Sequence, residues 1–199
     1  ILDLRANAFG HDLSLVLGLL PQERFVLVST EEERAIAEAR GFTTYLPAAD
    51  GTAPDGLAPA ADLYLGEAGG VMTLSGEVIN VKDVPSGTHV SYGYTYTTES
   101  PSTLALVSLG YADGVPRRAS NRGHAQLAGH RGIIAGRIAM DQLVVRLEPH
   151  NLKTGTQATL FGPEIPQGSL REWAAAIGLA PLAITSCLSP RIQRRAVNG

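Results

Sequence analysis

The first part of the chain alternates short apolar runs with amphipathic stretches. This pattern predicts strands at residues 1–4, 24–28 and 42–46, with helices at residues 13–20 and 31–40 between them. Asp12 is placed to cap the first helix and Ser29 or Thr30 the second, because a side-chain oxygen can accept a hydrogen bond from a free backbone N–H of the first turn. The predicted order is therefore β-α-β-α-β.

Residues 47–61, PAADGTAPDGLAPAA, follow neither the helical nor the strand period. Three prolines and two glycines among small residues are typical of a linker. We therefore expect residues 1–66 to form a small α/β fragment that ends in this linker, and residues 67–199 to form a second domain.

From residue 71 onward the chain consists of short runs rich in Val, Ile, Thr and Tyr, separated by Gly-containing turns. This texture favours an antiparallel barrel or sandwich. One helix is expected at residues 170–177, capped by Ser169. The predicted strands cover residues 71–81, 89–92, 104–109, 124–127, 132–138, 143–147, 157–161 and 192–197. The expected fold class is α+β, with a mostly antiparallel, barrel-like C-terminal domain after a small β-α-β-α-β fragment.

Composition narrows the possible functions. The chain has 199 residues, 44% apolar and 18% charged, which indicates a globular protein but leaves no room for a complete (β/α)8 barrel of roughly 250 residues. A net charge of −3 argues against nucleic-acid binding, and no apolar run approaches the roughly 18 residues that span a membrane. The single cysteine, Cys187, excludes an internal disulfide, so a cytoplasmic location is expected.

The spacing of the histidines in the sequence does not indicate a metal site. None of them shows the close spacing of paired metal ligands, so we expect scattered surface histidines and no bound metal. They are His11, His89, His124, His130 and His150.

The segment LGYADGVPRR, residues 109–118, carries the densest chemistry. It places Tyr111, Asp113 and Arg117 together at the end of a predicted strand. The structural alternative is an ordinary β-turn in which Asp113 accepts backbone hydrogen bonds and Gly114 supplies a positive φ. Both interpretations stay open on the residues alone.

A second candidate is GRIAMDQ, residues 136–142, which brings Arg137, Asp141 and Gln142 close together at a strand end. The alternative here is a surface ion pair between Arg137 and Asp141, which contributes little stability.

Five segments, in this order, resemble the C-terminal β domain of the alanine racemase family, whose members use pyridoxal phosphate to interconvert the alanine enantiomers. They cover residues 78–98, 106–123, 132–145, 158–162 and 188–195. The resemblance implies that Tyr111 is the acid/base tyrosine that one subunit lends to its partner. It also implies that Met140 and Asp141, which match residues contributed by the partner, line the substrate pocket.

The segment LRANAFGHD, residues 4–12, resembles the cofactor segment of the same family, which reads Val-Lys-Ala-Asn-Ala-Tyr-Gly-His-Gly. The family's Schiff-base lysine is replaced by Arg5, whose guanidinium stays protonated and has no free amine lone pair. Phe9 stands where the family has tyrosine, and Asp12 where it has glycine. We therefore expect no cofactor-binding residues and no bound pyridoxal phosphate. Residues 61–66, ADLYLG, resemble the segment that closes the family's barrel.

These departures favour a catalytically inactive alanine racemase relative with a binding, assembly or regulatory role. The alternative is an active pyridoxal phosphate-dependent alanine racemase or its trans-acting, tyrosine-donating subunit. A self-sufficient enzyme would need Lys82 or Lys153 to replace Arg5, since the chain has no other lysine. The expected partner is a second copy, in a homodimer, or a full-length alanine racemase, in a mixed dimer. Neither nucleic acid nor a membrane is an expected partner.

Overall fold

The computed structural model describes residues 1–21, 24–47, 52, 54–58, 60, 64–65 and 70–196. These residues form a three-stranded parallel sheet, a closed antiparallel barrel of six strands and a two-stranded hairpin. The expected α+β class is confirmed. Part of the predicted linker, as well as the predicted domain boundary after residue 66, lies outside the described residues.

The N-terminal sheet has the predicted β-α-β-α-β order. Its parallel strands are β1 (Leu2–Asp3), β2 (Phe25–Leu27) and β3 (Thr43–Tyr45), and its helices are α2 (Leu13–Leu19) and α3 (Glu31–Glu38). Asp12 accepts the backbone N–H of Leu15 at 3.2 Å, and Thr30 accepts that of Glu33 at 3.1 Å. The predicted caps of both helices are confirmed, with Thr30 as the cap of α3.

Between β1 and α2 lies a helical turn that the sequence pattern does not predict, α1 (Arg5–Phe9). Residues 6–9 have φ between +51° and +54°, so the turn is left-handed, which is unfavourable for residues with a Cβ. Long-range hydrogen bonds hold it. The N–H of Ala6 donates to Ser29 Oγ at 2.9 Å, and the N–H of Asn7 donates to the Glu33 carboxylate at 2.6 Å.

The barrel follows the strand order β10-β7-β4-β11-β8-β9, and β9 closes on β10. Its strands are β4 (Leu74–Val84), β7 (Ser102–Val107), β8 (His124–Leu127), β9 (His130–Ile134), β10 (Leu143–Leu147) and β11 (Gln157–Phe161). A hairpin of β5 (His89–Val90) and β6 (Tyr96–Thr97) lies between β4 and β7 in the chain. Buried residues of the strands fill the barrel, and in β10 they alternate strictly with less buried ones.

The predicted last strand, residues 192–197, is wrong where the structure describes it. Residues 192–196 are irregular. The closed barrel offers them no free strand edge, and Arg194 instead donates to the carbonyl oxygens of Gly10, Leu188, Ser189 and Ile192 at 2.6–3.2 Å.

Two helices pack against the barrel core. The first, α4 (Leu170–Ile177), has the predicted Ser169 cap, completed by the Glu172 carboxylate in a capping box. The second, α5 (Pro181–Ser186), is not predicted by the sequence pattern. Leu182 of α5 packs against both the barrel core and the N-terminal core, so α5 joins the two. None of the described helices combines the length and apolar character that crossing a membrane requires.

Candidate functional site

The Tyr111 turn lies shortly after β7, which ends at Val107. Tyr111–Asp113 is a short 3-10 turn in which the Asp113 carboxylate accepts the N–H of Gly110 at 2.7 Å, and Gly114 closes the turn with φ +95°. A Cβ at Gly114 would lie 2.2 Å from the carbonyl oxygen of Cys187, so the turn packs closely on the segment after α5. The predicted turn chemistry of Asp113 and Gly114 is confirmed. It leaves the Tyr111 side chain 38% exposed.

Backbone hydrogen bonds bring Met140 beside this turn. The N–H of Tyr111 donates to Ala139 O at 3.0 Å, and the N–H of Ala112 donates to Met140 O at 2.9 Å. A Cβ at Gly110 would lie only 2.1 Å from Met140 O, so glycine permits this approach. The structure therefore places the sequence-predicted residues Tyr111, Met140 and Asp141 together on adjacent turns.

Arg191 links the two turns through their acidic side chains. Its Nε lies 2.9 Å from Asp113 Oδ1, and a terminal nitrogen lies 3.0 Å from Asp141 Oδ1. The alternative interpretation, a surface ion pair between Arg137 and Asp141, is wrong, since Asp141 pairs with Arg191 and the Arg137 guanidinium lies over the Tyr92 ring, 5.6 Å from its centroid. Arg191 reaches both carboxylates because the N–H of Ser189 donates to Asp113 O at 3.0 Å and anchors the neighbouring chain.

Tyr92 and Arg117 complete the surroundings of Tyr111. Arg117 donates to Tyr92 Oη at 2.7 Å, and its guanidinium carbon lies 5.4 Å from the Tyr111 ring centroid. The predicted proximity of Arg117 to Tyr111 is confirmed, whereas Tyr92 is not predicted as a site residue. Tyr92 Oη in turn donates to Ile138 O at 3.1 Å, just before Met140. The available signal for Tyr92 was its place in a Ser-Tyr-Gly-Tyr turn within a family-like segment.

We refer to Tyr92, Tyr111, Arg117, Met140 and Asp141 as the tyrosine face. Tyr92 is 44% exposed and Met140 54%, although large apolar or aromatic side chains are more often buried. Exposed tyrosine, methionine and arginine together are typical of protein–protein interfaces. The tyrosine face is therefore suited to contact another macromolecule.

Arg5 lies elsewhere, at the carboxyl end of β1. Its Nε and a terminal nitrogen donate to the two Asp3 carboxylate oxygens at 2.9 and 2.6 Å, and its backbone N–H donates to Asp3 Oδ1 at 3.2 Å. Hydrogen bonding to the Asp3 carboxylate raises the pKa of Arg5 above its ordinary value. Since Asp3 is only 4% exposed, the guanidinium compensates a buried carboxylate.

This arrangement does not fit pyridoxal phosphate. The position that resembles the family's cofactor lysine holds a protonated guanidinium already committed to Asp3. The two lysines of the chain lie in or beside barrel strands, Lys82 in β4 and Lys153 before β11. The described contacts of Phe9 and Asp12 are structural as well, because Phe9 packs on Tyr64 at 5.5 Å between ring centroids and Asp12 caps α2.

His11 is the histidine for which the expected surface position is wrong. Its ring stacks on Tyr64, with centroids 4.6 Å apart, and Nδ1 lies 3.0 and 3.2 Å from the carbonyl oxygens of Ala8 and Phe9. Since carbonyls only accept, Nδ1 carries the proton, and Nε2 is shielded from solvent with no partner among the described residues. Burial lowers the pKa of His11 and so favours the neutral ring.

The part of the chain that the structure describes holds no cluster of three or more histidine, cysteine, aspartate or glutamate side chains arranged to bind a metal ion.

Comparison with known proteins identifies the barrel. Residues 71–196 match the family described as the alanine racemase C-terminal domain. The alanine racemase of Thermobifida fusca (strain YX) is 37% identical over 196 residues, which cover 94% of this chain and 50% of that protein. The alanine racemase of Streptomyces coelicolor (strain A3(2)) is 45% identical over 129 residues, 64% of this chain and 33% of that protein. The chain thus spans half or less of the length of these curated relatives.

Solved structures of alanine racemases also resemble this chain. The alanine racemase from Streptomyces coelicolor A3(2) superposes with a TM-score of 0.65 and 32% identity, covering 96% of this chain and 62% of that one. The alanine racemase of Clostridium difficile 630 gives a TM-score of 0.78 over 97% of this chain and 87% of that chain, at 18% identity, which shows a shared fold. The chain therefore belongs to the alanine racemase family.

Proposed function

We propose that this chain does not racemise alanine by itself and instead presents its tyrosine face to a lysine-bearing member of the alanine racemase family, in a mixed dimer. The observation that carries the proposal is the Arg5–Asp3 pair at the position that resembles the family's cofactor lysine. A guanidinium cannot attach to the aldehyde of pyridoxal phosphate, so the cofactor chemistry would reside in the partner.

The state of Tyr111 supports a role towards a partner. Tyr111 Oη makes no hydrogen bond with any of the described residues, whereas Tyr92 Oη is engaged on both sides by Arg117 and Ile138. A free phenol on an exposed turn can donate or accept a proton at an atom held by another molecule. The guanidinium of Arg117 contacts the Tyr111 ring, and backbone hydrogen bonds to residues 139–140 fix the turn that carries it.

A homodimer is the competing assembly. The same tyrosine face would then meet the N-terminal segment of a second copy, which offers Arg5 in place of a lysine. Such an assembly would leave Tyr111 without a cofactor opposite it. The chain alone and the mixture with a lysine-bearing relative therefore have to be compared in both size and activity.

The first experiment tests whether this chain forms a covalent adduct with pyridoxal phosphate and racemises alanine by itself. The purified chain is titrated with pyridoxal phosphate, followed by absorbance, reduced with borohydride, and searched for adducts by mass spectrometry. We expect no imine band, no stoichiometric adduct and no alanine racemisation. The Lys82→Arg, Lys153→Arg double variant is the matched control, because it removes both lysines that free aldehyde could modify at random. A stoichiometric adduct at either lysine, accompanied by racemisation, would contradict the proposal.

The second experiment tests whether this chain supplies Tyr111 to the active site of a partner. The full-length alanine racemase of Thermobifida fusca, with the tyrosine of its own matching motif changed to phenylalanine, is mixed with this chain at micromolar concentration. A positioned acid/base group contributes on the order of 10²-fold or more, so adding the chain should raise the depressed rate by about that factor. The Tyr111→Phe chain is the control and should associate without restoring activity. No association, or equal recovery with both chains, would refute the mixed dimer.

A further inference from the structure

We propose that Arg191 is a positioning residue for the tyrosine face, which fixes the Tyr111 turn and the Met140–Asp141 turn as one unit before any partner binds. Three chain segments meet at this point: residues 110–114, residues 139–141 and the stretch 187–191 after α5. Arg191 belongs to the third segment, and its side chain pairs with acidic groups of the other two segments.

The geometry of Arg191 suits a bridge. It uses Nε for Asp113 and a terminal nitrogen for Asp141, so one planar guanidinium spans carboxylates from two turns. The other oxygen of the Asp113 carboxylate accepts the N–H of Gly110, the residue immediately before Tyr111. A continuous series of contacts thus leads from Asp141, through its hydrogen bond with Arg191, the ion pair of Arg191 with Asp113 and the hydrogen bond of Asp113 with Gly110, to the backbone of the Tyr111 turn.

The charges explain why the bridge matters for function. Asp113 is buried, with 10% of its side chain exposed, whereas Asp141 is 54% exposed and stands next to Met140 on the tyrosine face. Without Arg191, two carboxylates would face each other across the turns, and Asp141 would be free to swing outward. Arg191 itself is 52% exposed, so its role is to orient these groups rather than to fill the core.

This inference rests on the proposed function only for its effect on activity, because the ordering of Tyr111 can be measured in the chain alone. The chain is labelled with fluorotyrosine, and the Tyr111 fluorine resonance is identified by its loss in Tyr111→Phe. Changing Arg191→Met should shift or broaden this resonance. Arg171→Met removes an exposed arginine of α4 that lies outside the site, and it should leave the resonance unchanged.

A second variant keeps the test decisive if Arg191→Met unfolds. Asp141→Asn breaks one arm of the bridge while Arg191 still neutralises the buried Asp113, and it should perturb the Tyr111 resonance with little change in melting temperature. Arg191→Lys should give an intermediate perturbation, because an ammonium cannot span both carboxylates as a planar fork does. An unchanged Tyr111 resonance in a folded Arg191→Met or Asp141→Asn chain would overturn the inference.

The mixed assembly supplies the functional readout. With the Thermobifida fusca variant described above, Arg191→Met should bind with unchanged affinity but restore activity about tenfold less well than the wild-type chain. If the resonance responds and the wild-type chain restores no activity, the proposed function fails while the positioning role stands. If affinity falls in parallel with activity, Arg191 is a binding contact and its assignment as a positioning residue fails.

Discussion

At the scale of single residues, Gly10 shows how conformation and space together fix an amino acid. It has φ +81°, and a Cβ there would lie 1.8 Å from the carbonyl oxygen of Thr185. We expect Gly10→Ala to lower the free energy of unfolding by about 3 kcal/mol or more, since neither backbone can move without breaking contacts. Gly41→Ala is the matched control. It has φ +85° with open space around it, and should cost only about 1 kcal/mol in urea denaturation. Equal costs would show that the contact with Thr185 is unimportant.

His11 makes the stability of the N-terminal unit depend on pH. Burial, assisted by the positive charge of Arg194, lowers the pKa of the folded ring below the ordinary value of 6.5. Below about pH 6.5 the ring in the unfolded chain is therefore protonated to a greater extent than in the folded chain, and the free energy of unfolding falls as pH decreases from that value. We expect His11→Gln to be less stable near neutrality but to lose less stability on acidification.

The measurement compares urea unfolding at about pH 7.5 and about pH 5.5 for the wild-type chain and the variant. His89→Gln, which changes an exposed histidine of the hairpin, is the control and should retain the wild-type pH dependence. A wild-type decline that persists in His11→Gln would assign the acid sensitivity to other groups.

At the scale of elements, Glu33 couples α3 to the left-handed turn α1. Its two carboxylate oxygens accept the N–H groups of Asn7 and Ser29, each at 2.6 Å. We expect Glu33→Ala to lower the free energy of unfolding by about 1–3 kcal/mol, because it leaves two backbone donors without their charged acceptor. Glu32→Ala, one residue earlier on the same helix, should change it by less than about 0.5 kcal/mol. Chemical denaturation of both variants checks the difference, and similar effects would show that Glu33 acts only through the helix dipole.

A comparison of individual elements shows which parts of the fold can be predicted from the sequence. The helix 170–177 and the strand 143–147 are predicted to the residue, because a helix cap at Ser169 and a short run rich in Val and Leu are local signals. The left-handed turn α1 is not, since Ser29 and Glu33, more than twenty residues away, hold its positive φ values. The predicted strand at 192–197 fails for the same reason, as the closed barrel and Gly10 determine where Arg194 goes.

Some residues of the site can also be predicted from the sequence, and others become visible only in the fold. Tyr111, Met140 and Asp141 could be predicted as members of one site because their motifs resemble those of the alanine racemase family. The chemistry of these residues alone leaves an ordinary turn as an alternative. Arg191 and Tyr92 are not predicted as site residues. Their contacts span 50 positions from Arg191 to Asp141 and 46 from Tyr92 to Ile138, and only the folded barrel closes such distances.

At the scale of the whole molecule, a small set of contacts joins the N-terminal sheet to the barrel. Arg194 donates to Gly10 O at 2.6 Å and, on the barrel side, to Leu188 O at 2.8 Å. Leu182 packs against both hydrophobic cores, and Gly10 lies against Thr185. The two cores are otherwise separate clusters among the described residues, so these contacts should determine whether the chain unfolds as one unit or as two.

Changing Arg194→Met tests this coupling. It removes the hydrogen bonds to Gly10 and to the chain after α5, while the barrel core keeps all of its packing. Native-state hydrogen exchange of the amides in β1, β2 and β3 should therefore accelerate by about tenfold or more, corresponding to about 1.4 kcal/mol of lost local stability. Exchange in β4 and β7 should stay as in the wild-type chain. Arg195→Met, the neighbouring exposed arginine, should alter neither set of amides. A uniform acceleration through sheet and barrel would mean that the chain unfolds as a single cooperative unit, and that Arg194 stabilises the whole molecule rather than the junction.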